Sequence, residues 1–163
     1  AATTERAPSA TAATTTSHSA ASPEPSHSHA GARGLMQLMP ATAREQAGQL
    51  GLGYSRDNLI ADPSYNMQLG NAYFARMLDY YGGAYPLAIA AYNAGPGNVN
   101  RWLRANGDPR QGGIDYVTWI ERIPIYETKN YVQRVIENAA VYEQLNPDRA
   151  QYGKPRMAGD FLR

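Results

Sequence analysis

Three short blocks join a glycine or proline turn to aromatic, amide and carboxylate side chains. Met36 and Gln37 follow Gly34, Tyr92 and Asn93 precede Gly95-Pro96-Gly97, and Tyr126, Glu127 and Tyr131 follow Pro124. Mixtures of this kind bind sugars: apolar ring faces lie on aromatic or Met side chains, while hydroxyls meet amides and carboxylates. Taken singly, each residue has a plainer reading, since twelve Tyr in a small helical domain serve mostly as amphipathic core edge. Other chemistries lack their signatures, with no Gly-rich phosphate loop, no Cys/His metal spacing and no nucleophile elbow. His18, His27 and His29 fall in or beside a polar low-complexity tract and read as solvated side chains, so a metal site built from them is not expected.

The chain has 163 residues, and 15 Lys plus Arg against 14 Asp plus Glu leave a formal charge of +1, so no nucleic-acid partner is expected. No cysteine is present, which leaves the compartment open. No run approaches the roughly 20 apolar residues of a membrane span. The first residues carry neither the basic nor the apolar region of a signal peptide. Residues 1–29 hold eight Ala, six Thr, six Ser, three Pro, three His, two Glu and one Arg. Ordering them would cost on the order of 30 to 60 kcal/mol with no large side chain to bury, so the segment is expected to be disordered. The folded unit is placed at 30–147, with 148–163 as a C-terminal tail.

The elements that must position the three blocks read as helices. One is expected over 41–47, stopping at Gly48. Another runs from the Asp62-Pro63 cap to Gly82-Gly83, with Leu69, Tyr73, Met77, Leu78 and Tyr81 at helical spacing. The stretch 86–92 is apolar on all sides, so its helix should be buried all round and end at Gly95-Pro96-Gly97. Short helices are expected around Val99, Trp102 and Leu103, closing near Gly107, and around Tyr116, Val117 and Ile120, closing at Pro124. A long one follows from about Glu127 to Asn146-Pro147. No segment alternates with a two-residue period, so the fold class is all-α.

Read together, the blocks carry a family resemblance. Gly34-Leu35-Met36-Gln37-Leu38-Met39-Pro40, Ala90-Ala91-Tyr92-Asn93-Ala94-Gly95-Pro96-Gly97 and Ile123-Pro124-Ile125-Tyr126-Glu127-Thr128-Lys129-Asn130-Tyr131 occur in order. Asp62-Pro63, Asn66, Leu69 and Gly70 stand between them. Over about residues 28 to 147 the chain resembles the soluble lytic transglycosylase catalytic domain, a helical relative of goose-type lysozyme. The resemblance implies a lysozyme-like helical domain, peptidoglycan glycan strands as partner, no cofactor, and a place in the bacterial envelope, in the periplasm. It also implies non-hydrolytic cleavage of the bond between N-acetylmuramic acid and N-acetylglucosamine. One glutamic acid protonates the glycosidic oxygen, then as carboxylate takes the proton of the muramic C6 hydroxyl, closing a 1,6-anhydro ring. That departs from the usual pair of carboxylates and needs an acid whose pKa is raised by burial. Substrate contacts are implied at Met36, Gln37, Tyr92, Asn93, Glu127 and Tyr131; Ser28 matches a serine beside the cleft, and Gly34, Gly95 and Gly97 serve backbone geometry.

In the family the acid opens a Glu-Ser pair fifteen residues before the Gly of Gly-Leu-Met-Gln, a count that here lands on Ser19, followed by Ala20. The apolar helix that should precede it is absent as well. Glu24 stands between Pro23 and Pro25, where no helix can hold it, and Glu121 and Glu137 read as solvated helix-face charges. No catalytic residue is therefore assigned. Loss of four or five buried large side chains removes on the order of 6 to 15 kcal/mol, so a marginal or partly open fold is expected. The readings are a transglycosylase-type domain without its acid, a peptidoglycan-binding pseudoenzyme, or a frameshifted product without function. The last arises because a neighbouring frame of the codons for Ser19-Ala20-Ala21-Ser22-Pro23 can encode Arg-Arg-Glu-Ser.

Overall fold

The structure, a computed structural model, describes residues 31–163. Ser19, Glu24, Ser28, the three histidines and the segment 1–29 lie outside the described residues. Among the described residues seven α-helices follow one another: α1 Pro40–Gln49, α2 Arg56–Ala61, α3 Pro63–Tyr80, α4 Tyr85–Ala94, α5 Pro96–Asn106, α6 Tyr116–Glu121 and α7 Tyr126–Leu145. Among the described residues there is no strand, only an isolated antiparallel bridge between Arg33 and Leu38. The all-α expectation holds.

The helix ends follow cap chemistry. Asp62 accepts from the backbone N–H groups of Ser64 and Tyr65 at 2.9 and 3.1 Å, and Pro63 needs no N–H bond in the first turn, so α3 starts where the sequence placed it. At its far end Gly82 adopts φ +62, the Gly83 N–H reaches the Leu78 carbonyl at 2.8 Å, and the chain turns out of the helix. The same device ends α1, but at Gly51 (φ +67) with the Leu52 N–H on the Ala47 carbonyl at 2.8 Å. Gly48 therefore lies inside α1, which corrects the expected stop there: a glycine in an exposed turn weakens a helix without breaking it. The short α2, capped by Ser55 Oγ on the Asn58 N–H at 3.1 Å, carries no periodic signal long enough to be read from sequence.

Helix α4 is the centre of the domain. Pro86, Leu87, Ala88, Ile89, Ala90 and Ala91 are all buried, and α3, α5 and α7 pack around it. The middle of α3, the C-terminal part of α4 and the first turns of α7 line a shared groove. The 148–163 segment folds back: a 3-10 turn, Ala158–Phe161, packs on α7, and Phe161 is 2% exposed with its ring edge-on to Tyr85, centroids 5.4 Å apart. Arg156 lies 4.1 Å above the Phe161 ring and bonds Glu143 of α7 at 2.5 Å.

Candidate functional site

The first block forms a tight turn before α1. Arg33 and Leu38 exchange backbone hydrogen bonds of 2.9 and 3.1 Å, and the Gln37 N–H closes onto the Gly34 carbonyl at 3.1 Å. Gly34 sits at φ +68, and a Cβ there would come within 2.3 Å of Asn66 Nδ2 and 2.5 Å of the Leu59 carbonyl. Glycine is required twice over, for conformation and for space. Gln37 is the one non-glycine among the described residues at positive φ, +50, and its Nε2 donates to the Gly34 carbonyl at 2.8 Å.

The second block comes from the end of α4. The Tyr92 hydroxyl donates to the Met36 carbonyl at 2.9 Å, and its ring packs on Tyr73 and Phe74 of α3 at centroid distances of 5.3 and 6.2 Å. Burial first, then the neighbouring phenols of Tyr131 and Tyr73, push the Tyr92 hydroxyl far above the ordinary tyrosine range, so it remains a donor at any physiological pH. Its hydrogen is committed to the turn, and the residue lines the groove with that donor already spent. Asn93 Oδ1 accepts from the buried Thr128 hydroxyl at 2.6 Å, leaving Nδ2 without a partner among the described residues.

The third block supplies the opposite wall from the first turns of α7. Glu127 is exposed; Tyr131, one turn on, is half-buried, and burial raises its hydroxyl pKa. The groove between the walls has two joined compartments. One, about 320 Å³, is apolar, with Met36, Leu35, Phe74, Ile89 and Val135 on its walls. The other, about 480 Å³, is polar, with Thr42, Asn93 and Glu127. Gln37, Tyr92 and Tyr131 line both. All six residues singled out in the sequence therefore meet in one groove. Sequence reasoning gave no role to Thr128, Phe74 or Tyr73, and noted Asn66 only as part of a pattern. A wider depression of about 730 Å³ lies around Gly82, Arg110 and Tyr116, but its two arginines, Arg110 and Arg163, are paired with Asp108 at 2.6 Å and with Asp160, and none of the six lines it. Among the described residues no group of three His, Cys, Asp or Glu is placed to hold a metal ion.

A family profile described as "Transglycosylase SLT domain" matches residues 4–112. The chain belongs to this SLT transglycosylase family. It is 38% identical over 120 residues to the soluble lytic murein transglycosylase of Escherichia coli K12, a match covering 73% of this chain and 18% of that protein. It superposes on a lytic transglycosylase Slt inactive mutant from Pseudomonas aeruginosa with TM-score 0.66 and 39% identity, over 80% of this chain and 21% of that one. On the 70 kDa soluble lytic transglycosylase from E. coli the TM-score is 0.68 at 35% identity, over 81% of this chain and 22% of that one. The chain thus spans about a fifth of the length of these relatives. The SLT profile match starts within the 1–29 segment and ends beyond α5, taking in the first two blocks; the E. coli similarity is long enough to reach past them. No helix among the described residues is long and apolar enough to cross a membrane.

Proposed function

We propose that this SLT domain holds a peptidoglycan glycan strand in the two-compartment groove and, as the chain stands, does not cut it. The convergence of Met36, Gln37, Tyr92, Asn93, Glu127 and Tyr131 on one groove supports the binding half. A glycan presents apolar ring faces and polar edges. The rings of Tyr92 and Tyr131 and the Met36 thioether suit the faces and the methyl of an N-acetyl group; the Asn93 amide, Gln37 and the Glu127 carboxylate suit hydroxyls and amides. Such a substrate places the domain in the bacterial envelope.

The second half rests on what a single-acid mechanism demands. A carboxylic acid that donates a proton near neutral pH and then takes one back must be desolvated beside the scissile bond. Glu127 is the one carboxylate among the described residues lining the groove, and it is exposed. The position at which the family resemblance sets the acid is Ser19. In the P. aeruginosa relative the exchange of one glutamate for glutamine is described as an inactive mutant, which supports a reading in which a single acid is indispensable. In this reading residues 1–29 take the place in the sequence of the acid-bearing segment, and 31–147 keep the binding surface.

Co-sedimentation with insoluble peptidoglycan tests the binding half. The intact chain is expected in the pellet, and Tyr131→Ala and Asn93→Ala are expected to shift it towards the supernatant while their far-UV spectra stay helical. An intact, folded chain that remains in the supernatant overturns the reading.

A further inference from the structure

Met36 ties the 33–38 turn to two helices at once. Its N–H donates to Asn66 Oδ1 of α3 at 2.7 Å, and its carbonyl accepts from the Tyr92 hydroxyl of α4 at 2.9 Å. Asn66 also binds on its other side: Nδ2 donates to the Leu59 carbonyl at 2.9 Å and to the Arg33 carbonyl at 3.2 Å. These partners settle which way the amide points, because only Oδ1 can accept from an N–H and only Nδ2 can donate to two carbonyls. The side chain is 1% exposed, so water does not compete for any of the three bonds.

Two glycines are shaped around this arrangement. At Gly34 a Cβ would strike Asn66 itself, and at Gly70, one helical turn beyond Asn66, it would sit 2.7 Å from Met36 Cβ and Cγ. The turn therefore lies against α3 at both points. The residue held next in line is Gln37, at φ +50. A non-glycine residue persists in that conformation only where its surroundings over-determine it, and such residues gather at binding and catalytic sites.

We propose that Asn66 is a positioning residue for glycan binding: its amide fixes the Met36 peptide so that Gln37 stands in the left-handed conformation at the junction of the two compartments. The inference rests on the glycan-binding reading above. Asn66 touches no ligand; it acts through the turn.

The test is Asn66→Asp. The change keeps size and shape but turns the Nδ2 donor into a second acceptor facing two carbonyls, and burial raises the pKa of a carboxyl placed there. Once protonated, its O–H can donate to one of those carbonyls again. Affinity for a soluble peptidoglycan tetrasaccharide is measured by calorimetry at about pH 8 and about pH 5, with amide hydrogen exchange across 33–38. Measuring the wild type at both pH values removes from the comparison every pH dependence the two proteins share; Arg33 and Glu127 are common to both. The variant is expected to bind about tenfold more weakly than wild type at the higher pH, with the gap shrinking to about threefold at the lower. The Met36 amide is expected to exchange about tenfold faster while α3 and α4 keep their protection. A packing role alone would give loss of protection throughout the core and no recovery with acid. Wild-type affinity in the folded variant at the higher pH, or an unchanged Met36 exchange rate, overturns the proposal.

Should Asn66→Asp fail to fold, Tyr92→Phe releases the Met36 carbonyl from the other side without burying a charge. Faster exchange in the turn with weaker binding supports the clamp; no change in either overturns it. A wild type that binds no glycan counts against the functional reading, and the exchange measurements then decide the clamp by themselves.

Discussion

Replacing Gly34 by alanine tests the claim that this turn is built around a close approach to α3. Two costs combine. An L-residue at φ +68 pays roughly 1 to 2 kcal/mol in backbone strain. The added Cβ would lie 2.3 Å from Asn66 Nδ2 and 2.5 Å from the Leu59 carbonyl. Neither neighbour can give freely: one is backbone, and the other is held by three hydrogen bonds, each worth about 1 kcal/mol net. Overpacking of this kind costs about 1 to 3 kcal/mol, which brings the expected destabilisation to roughly 2 to 5 kcal/mol. For a domain of this size that lowers the melting temperature by on the order of 6 to 20 °C. Gly112→Ala is the matched control, since Gly112 has φ +76 but nothing within 4 Å of an added Cβ. It carries the strain without the clash, and its melt is expected to fall by about 3 to 8 °C. Thermal unfolding followed by circular dichroism at the helical band distinguishes the two. Equal shifts would show that the approach to Asn66 contributes nothing and refute the reasoning.

Phe161→Ala, which empties a site 2% exposed between Tyr85 and Arg156, is expected to cost about 3 to 5 kcal/mol in chemical denaturation; a loss under about 0.5 kcal/mol would mean that the C-terminal segment is not part of the fold. Hydrogen bonds from Arg156 hold the Glu143 carboxyl below its usual range, and those from Arg110 do the same for Asp108. Their contribution is therefore complete above the unfolded carboxyl pKa of about 4 and is lost as pH falls through the lower folded values; Glu143→Gln should flatten this acid limb of the stability curve. Burial raises the hydroxyl pKa of Tyr73, Tyr81, Tyr92 and Tyr131, so the stabilisation is intact below about pH 10 and fades as pH rises beyond it. Absorbance titration should show these tyrosines ionising late, together with unfolding; all tyrosines ionising near pH 10 in a folded protein would contradict this.

The parts legible in the sequence are those that depend on neighbours in the chain. Asp62-Pro63 and Gly82-Gly83 announce the ends of α3 because cap and turn act within a few residues. The all-apolar run of α4 announces its burial. Gly48 misled because a glycine can end a helix or lie within one, and the choice is made by Gly51 and the bond from Leu52 to Ala47. What was hidden depends on distant partners. Phe161 has nothing near it in the chain to mark it as core; Tyr85 does that in space. The six groove residues came from a recognised pattern, which does not tell that the Tyr92 hydroxyl is spent on Met36 or that Thr128 holds Asn93. Asn66 offered a single local hint, a polar residue on the apolar side of a helix, and its three partners lie at 33, 36 and 59.

The measurement that bears most directly on the account is mass spectrometry of the soluble fraction after the purified chain is incubated with peptidoglycan. Binding without turnover predicts no 1,6-anhydromuropeptides, which are lighter than hydrolysis products by one water, and predicts their appearance from a version in which the family's glutamate-bearing helix replaces residues 1–29. Their release by the unaltered chain would contradict the account and send the search for the acid to Glu24 and Glu127.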